Sequence, residues 1–507
     1  MDERYSTPAL PGVGSGTPPE PCTVVIFGAS GDLTRRELIP ALYELGGQGL
    51  LPEPFAVVGF ARSKWSDEEF RQRMQKAVEA ECSFDKDRWD RFRRCLHYVP
   101  GDFGGSADRD YAHLRAKLDG LAAEKGQTGN VLFHLATPPS FFGTIVQRLQ
   151  AAGLAGDESG WRRLVIEKPF GVDRTSAQAL DREILSVFGE DRVYRIDHFL
   201  GKETVQNMLV VRFANPSFEP IWNRDYVDHV QITVAEDIGI GTRAGFYEQT
   251  GIVRDMVQNH LLQLLCMAAI EPPGQFNGAA LRDETVKVLR AIRPVDVARD
   301  CVRGQYGPGR VDGKKARGYR EEDKVDDHSS TPTFAAVKLM IDNWRWAGVP
   351  WYLRTGKRLP RKLTEVAMHF RQTPHMMFPS EQRNPQRHVM AFRLQPEEGI
   401  IQTFSAKQPG PQLSISPVTM AFRYATAFGV TELPRAYAWL LLDVMEGDQT
   451  LFARADWISE AWRIIDPIVN AWEAEAPADF PNYAAGTWGP EGADQLLTSA
   501  GREWRII

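Results

Sequence analysis

The sequence predicts an α/β N-terminal domain with a doubly wound parallel sheet, followed by a larger α+β domain with a mostly antiparallel sheet. From Thr23 to about residue 200, short apolar runs alternate with charged amphipathic stretches, which is typical of parallel strands joined by helices. Beyond residue 200, strand-like runs accumulate and helical spacing becomes less regular. At 507 residues the chain is too long for one compact core, so two domains are expected.

The individual elements are identified by apolar periodicity. The predicted strands of the first domain comprise residues 24–27, 55–60, 131–136, 163–166 and 193–196, and a helix is predicted over 33–45. In the second domain, residues 229–234, 390–394 and 400–404 are strand-like, and apolar residues recur with helical period over 251–265. The charged stretch 314–327 is predicted to be a mobile loop.

The composition and pattern of the sequence predict the boundaries of the tail and of the two domains. Residues 1–21 are rich in Pro, Gly and Ser and lack the basic start and apolar core of a signal peptide, so they are predicted to form a disordered tail. The first domain is expected over 22–200 and the second over 201–507. No stretch approaches the roughly 18 consecutive apolar residues of a membrane helix, so a membrane protein is not expected.

Charge and cysteine content exclude further classes of protein. The formal net charge is −6 and the Lys and Arg residues are scattered, so neither a nucleic acid nor a membrane surface is an expected partner. The five cysteines are widely spaced and form no C-x-x-C motif, which favours reduced thiols in the cytoplasm and argues against a zinc site. No metal is therefore expected.

A glycine loop follows the first predicted strand. Gly28 ends the strand and allows a tight turn, while Gly31 lets the backbone approach a pyrophosphate at the start of the next helix. The loop predicts a Rossmann-like dinucleotide site formed by Gly28, Ala29, Ser30, Gly31, Asp32 and Leu33. Alone the motif is weak, because Thr34 stands where the common fingerprint has its third glycine, and a plain strand-to-helix turn is the alternative.

The end of the second predicted strand indicates which dinucleotide is bound. An NAD site usually carries Asp or Glu there, but this strand is followed by Arg62, Ser63 and Lys64. The forked guanidinium of Arg62 suits a 2′-phosphate, so NADP is predicted, with NAD as a weaker alternative. An ordinary surface arginine is the competing interpretation.

Polar groups cluster at the end of the strand predicted over 193–196. Asp197 and His198 fall at the strand exit. If the chain then becomes helical, His198 and Lys202 lie on one face near free backbone N–H groups, an arrangement that would bind a phosphate. From this segment alone, the alternative is an ordinary charged strand-to-helix corner.

The same segment, Arg195–Glu203, carries a resemblance to a known family. It reads R-I-D-H-F-L-G-K-E and closely resembles the R-I-D-H-Y-L-G-K-E signature of glucose-6-phosphate dehydrogenases. Further matches occur in the order of that family, namely GASGDL at Gly28–Leu33, EKPFG at Glu167–Gly171, RDMVQNH at Arg254–His260, RWAGVPWYLRTGK at Arg345–Lys357 and YAAGTWGP at Tyr483–Pro490. The resemblance covers roughly residues 22–507.

The resemblance implies a reaction and its catalytic residues. Hydride passes from C1 of glucose 6-phosphate to NADP and gives 6-phosphogluconolactone, the first oxidative step of the pentose phosphate pathway. His260 is implied as the proton acceptor and Asp197 as the carboxylate that orients it. The alternatives are a dehydrogenase of another phosphorylated aldose and a catalytically silent NADP-binding protein. The retained basic residues argue against the former, and the intact catalytic pair argues against the latter.

Positions within the family motifs imply the remaining site residues. Lys168 is expected between cofactor and substrate, with a cis bond to Pro169, and Asp102 is expected near the cofactor. The substrate-binding residues implied in this way are Lys168, His198, Lys202, Glu236, Asp255, Lys357, Lys362 and Gln395.

Two features do not follow directly from the family pattern. Phe199 replaces the usual tyrosine, so any hydrogen bond of that hydroxyl to phosphate is lost. On an ideal α-helix, Asp255 and His260 lie about 140° apart. Either the substrate spans both directions, or the helix begins after Asp255.

The assembly is implied by resemblance alone. Family members are commonly homodimers or homotetramers through the large sheet of the second domain, which is therefore expected to bind substrate and to mediate oligomerisation. Animal relatives hold a second, structural NADP with basic residues just beyond the position of Lys362. Leu363 and Ala367 occupy those positions here, which predicts one nucleotide per subunit.

Overall fold

The structure, a computed structural model, describes residues 17–104, 107–125, 129–241, 243–375, 377–378, 388–429 and 434–505, so residues 1–16 of the predicted disordered tail lie outside the described residues. The described strands are β1 (Cys22–Phe27), β2 (Phe55–Ala61), β3 (Leu96–Pro100), β4 (Val131–Leu135), β5 (Arg162–Ile166), β6 (Val193–Arg195), β7 (Val227–Ala235), β8 (Cys301–Gly304), β9 (Tyr306–Gly307), β10 (Gly309–Val311), β11 (Lys314–Ala316), β12 (Phe334–Met340), β13 (Pro350–Gly356), β14 (Leu363–Phe370), β15 (Val389–Gln395), β16 (Gly399–Lys407), β17 (Ile415–Arg423) and β18 (Tyr483–Ala484). The described α-helices are α1 (Ile39–Gly47), α2 (Asp67–Glu81), α3 (Lys86–Phe92), α4 (Ala107–Lys125), α5 (Phe142–Ala151), α6 (Arg174–Leu185), α7 (Glu203–Phe213), α8 (Ala244–Ile252), α9 (Leu262–Ala269), α10 (Gly278–Ala291), α11 (Val297–Asp300), α12 (Tyr424–Phe428), α13 (Ala436–Glu446), α14 (Ala455–Ala474) and α15 (Glu491–Thr498).

The described residues form two compact units. The first unit comprises the described residues of 1–202, 275–282 and 433–459, and the second unit comprises those of 203–274, 283–432 and 460–507. The first unit therefore includes a segment from late in the sequence, which contains α13.

The first unit is built on a six-stranded parallel sheet in the order β3-β2-β1-β4-β5-β6. β1 and β2 are buried along their whole length, as expected for strands covered by helices on both faces. The strand order reverses beside β1, and ligands of open α/β sheets bind at strand carboxyl ends near such a point. The doubly wound, Rossmann-like prediction is confirmed. β3 was not predicted, because His97 and Pro100 interrupt its apolar run.

The second unit contains an eight-stranded sheet in the order β17-β16-β15-β14-β7-β13-β12-β8. Neighbouring strands are antiparallel except β7 and β13, which run parallel. The prediction of an α+β domain with a mostly antiparallel sheet is therefore confirmed. The strand-like runs 229–234, 390–394 and 400–404 lie within β7, β15 and β16.

The segment predicted as a loop over 314–327 is partly regular, which corrects that prediction. β11 pairs with β10 as an antiparallel hairpin, and Tyr319–Glu321 form a 3-10 helix. Asp312 and Gly313, with φ of 48° and 74°, form the two-residue connection of the hairpin. An Asp-Gly pair favours such a turn, so the signal was present in the sequence.

Both helices predicted from periodicity contain a π-helical segment in the described chain. The π-helix Thr34–Leu38 precedes α1, and the π-helix Val253–Leu261 lies between α8 and α9. The predictions over 33–45 and 251–265 were right about helical structure and wrong about its hydrogen-bond pattern. Gly251, with φ of 61° and ψ of 176°, kinks the chain before the second π-helix. Among the described helices, none has the length and apolar character needed to cross a bilayer.

Candidate active site

The glycine loop of the first unit contains a position that requires glycine. Gly28 has φ of 85°, and a Cβ there would lie 2.2 Å from the carbonyl oxygen of Ala136. The Gly28 N–H donates to the carbonyl oxygen of Phe60 at 2.9 Å. The loop is therefore held between the carboxyl ends of β2 and β4, where the diphosphate of a dinucleotide binds in this fold.

Thr34, which stands in place of the third glycine, stabilises the glycine loop through its side chain. Its side chain is buried, and its hydroxyl donates to the carbonyl oxygen of Gly28 at 3.3 Å. The hydroxyl thus supports the loop from the first turn of the following helix. Asp32 is exposed and pairs with Arg35 at 2.6 Å. Of the other predicted loop residues, Ala29 is buried, and Ser30, Gly31 and Leu33 are half-buried.

A groove of about 610 Å³ lies beside the glycine loop. The residues that line the groove include four cations and three carboxylates. The cations are Arg35, Arg36, Arg73 and Lys76, and Ser30 and Trp65 also line the groove. The Arg73 guanidinium carbon lies 4.4 Å from the centroid of the Trp65 ring. Sequence analysis missed the groove, although Arg73 and Lys76 are three residues apart on α2 and so share a helix face. These residues fit an anionic aromatic group such as a phosphorylated adenosine.

Three further predicted cofactor ligands also follow strands of the first sheet. Arg62 is exposed directly after β2, and the half-buried Asp102 follows β3. Lys168 follows β5, and its bond to Pro169 is cis, as predicted. Parallel strands end at one edge of a sheet, so the structure brings these residues to the edge that carries Gly28.

The predicted phosphate-binding segment after β6 is a turn, so the helix on which the shared face of His198 and Lys202 was conditional does not form there. α7 begins only at Glu203, and residues 198–202 form turns that include a hydrogen bond from the Lys202 N–H to the Phe199 carbonyl oxygen at 3.2 Å. His198 and Lys202 therefore do not share the face of a helix.

Phe199 brings the two basic side chains together instead. The His198 ring centroid lies 5.0 Å from that of Phe199, and the Lys202 Nζ lies 5.0 Å from the same ring centroid. The buried carboxylate of Asp197 accepts a hydrogen bond from the Phe199 N–H at 3.0 Å. The phenyl ring thus provides aromatic packing at this position without a hydroxyl. We refer to His198, Phe199 and Lys202 as the His198–Lys202 cluster.

The second unit brings residues together through strand register. β7 and β13 run parallel with Ala235 beside Gly356, so the residues that follow, Glu236 and Lys357, emerge side by side. The Lys357 Nζ lies 2.5 Å from Glu236 Oε2, and the Lys357 side chain is only 1% exposed. A buried ammonium requires such a partner, because an unpaired buried charge is strongly unfavourable.

The π-helix Val253–Leu261 brings Asp255 and His260 towards the same face. Its hydrogen bonds join residues five positions apart, so residues 255 and 260 follow one another along the helix axis. Asp255 Oδ2 lies 3.8 Å from Lys357 Nζ, and His260 is 1% exposed. Because the helix includes Asp255, the alternative in which it begins after this residue is wrong. The separation of about 140° calculated for an α-helix does not apply.

The last two predicted substrate ligands lie at the same end of the second sheet. β14 begins opposite Ala235, so the exposed Lys362 precedes it opposite Glu236. Gln395 is the half-buried last residue of β15 and pairs with Thr364. The register therefore brings both residues to the strand ends that carry Glu236.

Sequence analysis missed two tyrosines that contact Lys357. The Lys357 Nζ lies 5.2 Å from the centroid of the Tyr247 ring, and the Tyr483 hydroxyl donates to the Lys357 carbonyl oxygen at 2.8 Å. Burial, followed by the charges of Asp255 and Glu236, raises the pKa of Tyr247 well above its ordinary value. The sequence signal was weak, because buried aromatic residues usually serve packing alone.

Two family models match nearly the whole chain. The model described as "Glucose-6-phosphate dehydrogenase, NAD binding domain" matches residues 25–207. The model described as "Glucose-6-phosphate dehydrogenase, C-terminal domain" matches residues 209–505.

Individual relatives agree with the family models. The glucose-6-phosphate 1-dehydrogenase of Aggregatibacter actinomycetemcomitans is 47% identical, over 96% of this chain and 97% of its own length. That of Bacillus subtilis (strain 168) is 42% identical, over 95% of this chain and 97% of its own length. A solved glucose-6-phosphate dehydrogenase in complex with its substrate glucose-6-phosphate is 33% identical with a TM-score of 0.89, covering 97% of this chain and 100% of that chain. The structure of the Mycobacterium avium enzyme is 36% identical with a TM-score of 0.80, covering 96% of this chain and 99% of that chain.

Proposed function

The chain belongs to the glucose-6-phosphate dehydrogenase family, and on that premise we propose which residues carry out its reaction. Its activity is that of an NADP-dependent glucose-6-phosphate 1-dehydrogenase, which transfers hydride from C1 of glucose 6-phosphate to NADP and gives 6-phosphogluconolactone. The assignment of roles rests on the buried pairing of Lys357 with Glu236 and Asp255, together with the π-helix that carries Asp255 and His260.

His260 is the proposed proton acceptor. Its neutral imidazole takes the proton of the anomeric hydroxyl as C1 loses hydride and the C1–O bond becomes a carbonyl. The bound nucleotide supplies the nicotinamide ring that takes the hydride. Because the proton and the hydride each have an acceptor, the proposed chemistry needs no metal. The role of Asp197 as the carboxylate that orients this base stays a prediction from the resemblance.

Glu236, Asp255 and Lys357 are proposed to bind the sugar hydroxyls. The Lys357 ammonium is already balanced by two carboxylates, so the cluster offers donors and acceptors to neutral hydroxyl groups rather than a site for a free anion. Gln395 is proposed to add an amide that can donate and accept. Lys362 is proposed to supply a further positive charge at the same strand ends.

His198 and Lys202 are proposed to bind the 6-phosphate. Both side chains are half-buried around Phe199, so they remain accessible to an anion. Phosphate contacts are remote from C1, and their binding energy is used to position C1 for hydride transfer. The half-buried Lys168 is proposed to contact both substrate and nucleotide.

The nucleotide is proposed to lie on residues 28–33, with Arg62, Asp102 and Lys168 as further ligands and with NADP preferred over NAD. Two observations support this preference. Arg62 is exposed immediately after β2, where an NAD site would carry a carboxylate. The groove beside the loop also carries more cations than carboxylates.

The compartment, the domain roles and the assembly are further proposals. All five cysteines are free thiols, which favours a reducing compartment such as the cytoplasm. The first unit is proposed to bind NADP, and the second is proposed to bind substrate and to form a homodimer or homotetramer. One nucleotide per subunit is proposed, because Leu363 and Ala367 are buried apolar residues of β14.

The proposed specificity is tested by following the absorbance of reduced nicotinamide with the purified protein. Glucose 6-phosphate with NADP should give the highest kcat/KM, NAD a lower value, and free glucose a far lower one. Equal turnover of another phosphorylated aldose, such as mannose 6-phosphate, would contradict the proposed sugar specificity. Nucleotide binding without turnover of any sugar would contradict the catalytic role itself.

A further inference from the structure

A buried hydrogen-bonded network lies beside the His198–Lys202 cluster, within the first unit. Glu167 Oε1 lies 3.1 Å from His134 Nε2, and Glu167 Oε2 accepts a hydrogen bond from the Tyr437 hydroxyl at 3.1 Å. The Tyr437 ring is parallel to the His198 ring within 9°, with a centroid separation of 6.4 Å. The reaction proposed above assigns no role to His134, Glu167 or Tyr437, which we call the positioning network.

The surroundings of the network indicate where its protons lie. His134 is fully buried, and its Nδ1 has no hydrogen-bond partner among the described residues. The proton of the neutral ring therefore lies on Nε2 and is donated to Glu167, since an imidazolium would leave a buried N–H unsatisfied. Burial, followed by the charge of Glu167, raises the pKa of Tyr437 well above its ordinary value, so the Tyr437 hydroxyl also donates. Glu167 is thus the shared acceptor of two donors.

Strand geometry explains why this carboxylate is held in place. His134 of β4 pairs with Val165 of β5, and Glu167 lies two residues beyond Val165, on the same face of the sheet. Tyr437 comes from α13, far along the sequence. Two directional hydrogen bonds from separate elements therefore fix the carboxylate and the phenol ring that faces His198.

We propose that the positioning network orients the His198 imidazole for binding the 6-phosphate of the substrate. The network does not touch the sugar. It fixes the Tyr437 ring, so the parallel His198 ring loses little conformational freedom when it binds phosphate. The inference rests on the phosphate-binding role proposed for His198. It predicts that a damaged network weakens binding of the phosphorylated sugar without slowing the chemical step.

The first test is Tyr437→Phe, which keeps the ring and removes the hydroxyl. The Kd of glucose 6-phosphate, measured by calorimetry without nucleotide, should rise about three- to tenfold, as expected for the loss of one buried hydrogen bond. The KM should rise by the same factor, while kcat and the residual turnover of free glucose stay unchanged. Tyr43→Phe is the matched control, because Tyr43 is a buried tyrosine of the same unit whose hydroxyl donates to the Asp85 carbonyl oxygen at 3.1 Å. It should change none of these quantities.

A double-mutant cycle distinguishes the phosphate-binding role of His198 from the positioning role of Tyr437. If His198→Gln leaves the preference for glucose 6-phosphate over glucose intact, the proposed phosphate role of His198 is wrong. If His198→Gln reduces that preference, Tyr437→Phe should have no further effect in the His198→Gln background. Full multiplication of the two effects, or a fall of kcat with both sugars in Tyr437→Phe, would overturn the positioning role alone.

A second pair of variants tests the network from its other end. His134→Gln keeps an N–H donor for Glu167 and should retain the wild-type KM, whereas His134→Phe should raise KM as Tyr437→Phe does. Equal KM values for these two variants would overturn the proposal even if Tyr437→Phe failed to fold.

Discussion

The two units assemble their proposed ligands in different ways. In the first unit the ligands lie in short runs at the ends of single strands, such as residues 28–33 after β1 and residues 197–202 after β6. In the second unit Glu236 and Lys357 are 121 residues apart in sequence and meet through the register of β7 and β13. A site of the first kind can be recognised from a motif, whereas a site of the second kind depends on the sheet.

The units also differ in how they carry charge. His198 and Lys202 of the first unit, the proposed phosphate ligands, are half-buried and Arg62 is exposed, so solvent reaches all three basic groups. Lys357 of the second unit is buried and balanced by two carboxylates. Substitutions of these basic groups should therefore change ligand affinity. Substitutions in the second unit should change chemistry or stability.

The variant His260→Asn tests whether the second unit supplies the proton acceptor, and its effect on kcat should be the largest of these predictions. Asparagine can hydrogen-bond the anomeric hydroxyl but cannot accept its proton, so kcat should fall by about 10²–10⁴-fold. Calorimetry should show nearly unchanged binding of glucose 6-phosphate. His369→Asn replaces another buried histidine of the same unit and should leave kcat near the wild-type value. Near-normal turnover by His260→Asn would reject the role of proton acceptor.

The variant Lys357→Met tests whether the second unit depends on its balanced buried charge. Without the ammonium, Glu236 and Asp255 lose their shared partner, and the free energy of unfolding should fall by about 3–5 kcal/mol. Chemical denaturation measures this change. The double variant Lys357→Met, Glu236→Gln should be more stable than the single variant, because one of the two carboxylates is neutralised. An unchanged unfolding midpoint in Lys357→Met would contradict the stabilising role of the Lys357 ammonium.

The variant Lys202→Ala tests the first unit, where affinity rather than stability should respond. Loss of one charged partner of the phosphate should cost about 2–5 kcal/mol in kcat/KM for glucose 6-phosphate. Residual turnover of glucose and the affinity for NADP should hardly change. Lys86→Ala is the control, because Lys86 is exposed and pairs with Asp90 at 2.5 Å. If both sugars lost activity equally, Lys202 would belong to the fold or to the catalytic step.

The variant Arg62→Ala addresses the choice of nucleotide. It should weaken NADP binding by about 1.5–3 kcal/mol, the typical contribution of a hydrogen bond to a charged group, and leave NAD binding almost unchanged. Fluorescence titration of each nucleotide measures the difference. Arg115→Ala, at an exposed arginine of the same unit, should affect neither. Equal losses for both nucleotides would assign Arg62 to the adenine or to the fold.

The first unit also contains a buried acid without a balancing cation among the causes of its shift, Asp443, and burial raises the pKa of this carboxyl to about 8. The folded state then holds a proton that the unfolded state loses above its ordinary pKa of 3.8, so wild-type stability should fall as pH rises from about 4 to 8. Asp443→Asn should be more stable than wild type by several kcal/mol at pH 8, because each unit of pKa difference corresponds to about 1.4 kcal/mol, and equally stable near pH 4. Thermal melts at both pH values check this. A stability difference that does not depend on pH would refute the raised pKa.

The sequence predicted features that depend on nearby residues and missed those that depend on distant packing. The cis bond after Lys168 followed from its family motif and is present. A helix directly after Asp197, which the sequence left as a possibility, is absent because α7 begins at Glu203. A Cβ on Gly201 would lie 2.7 Å from the carbonyl oxygen of Ala436. That close approach of α13 leaves no room for a side chain at position 201, and it depends on residues distant in sequence. The hydrogen bond between Glu167 and Tyr437 spans 270 residues and has no local signal.

The π-helix shows a different limit of prediction. Apolar periodicity indicates a helix over 251–265 but does not distinguish i→i+4 from i→i+5 hydrogen bonding. The difference decides whether Asp255 and His260 share a face. Only the packed structure, in which Asp255 lies close to Lys357, reveals the pattern.

The three segments of the first unit, residues 1–202, 275–282 and 433–459, are synthesised at three separate times. All six strands of the parallel sheet have been synthesised when the ribosome reaches Lys202. Helix α13 and Arg435, whose guanidinium pairs with Glu44, are synthesised only after most of the second unit. At synthesis rates of about 5–20 residues per second, the sheet waits roughly 10–50 s for the segment that ends at Ser459. During that interval its strands are all available, but the surface that α13 covers is open to chaperones and to neighbouring nascent chains.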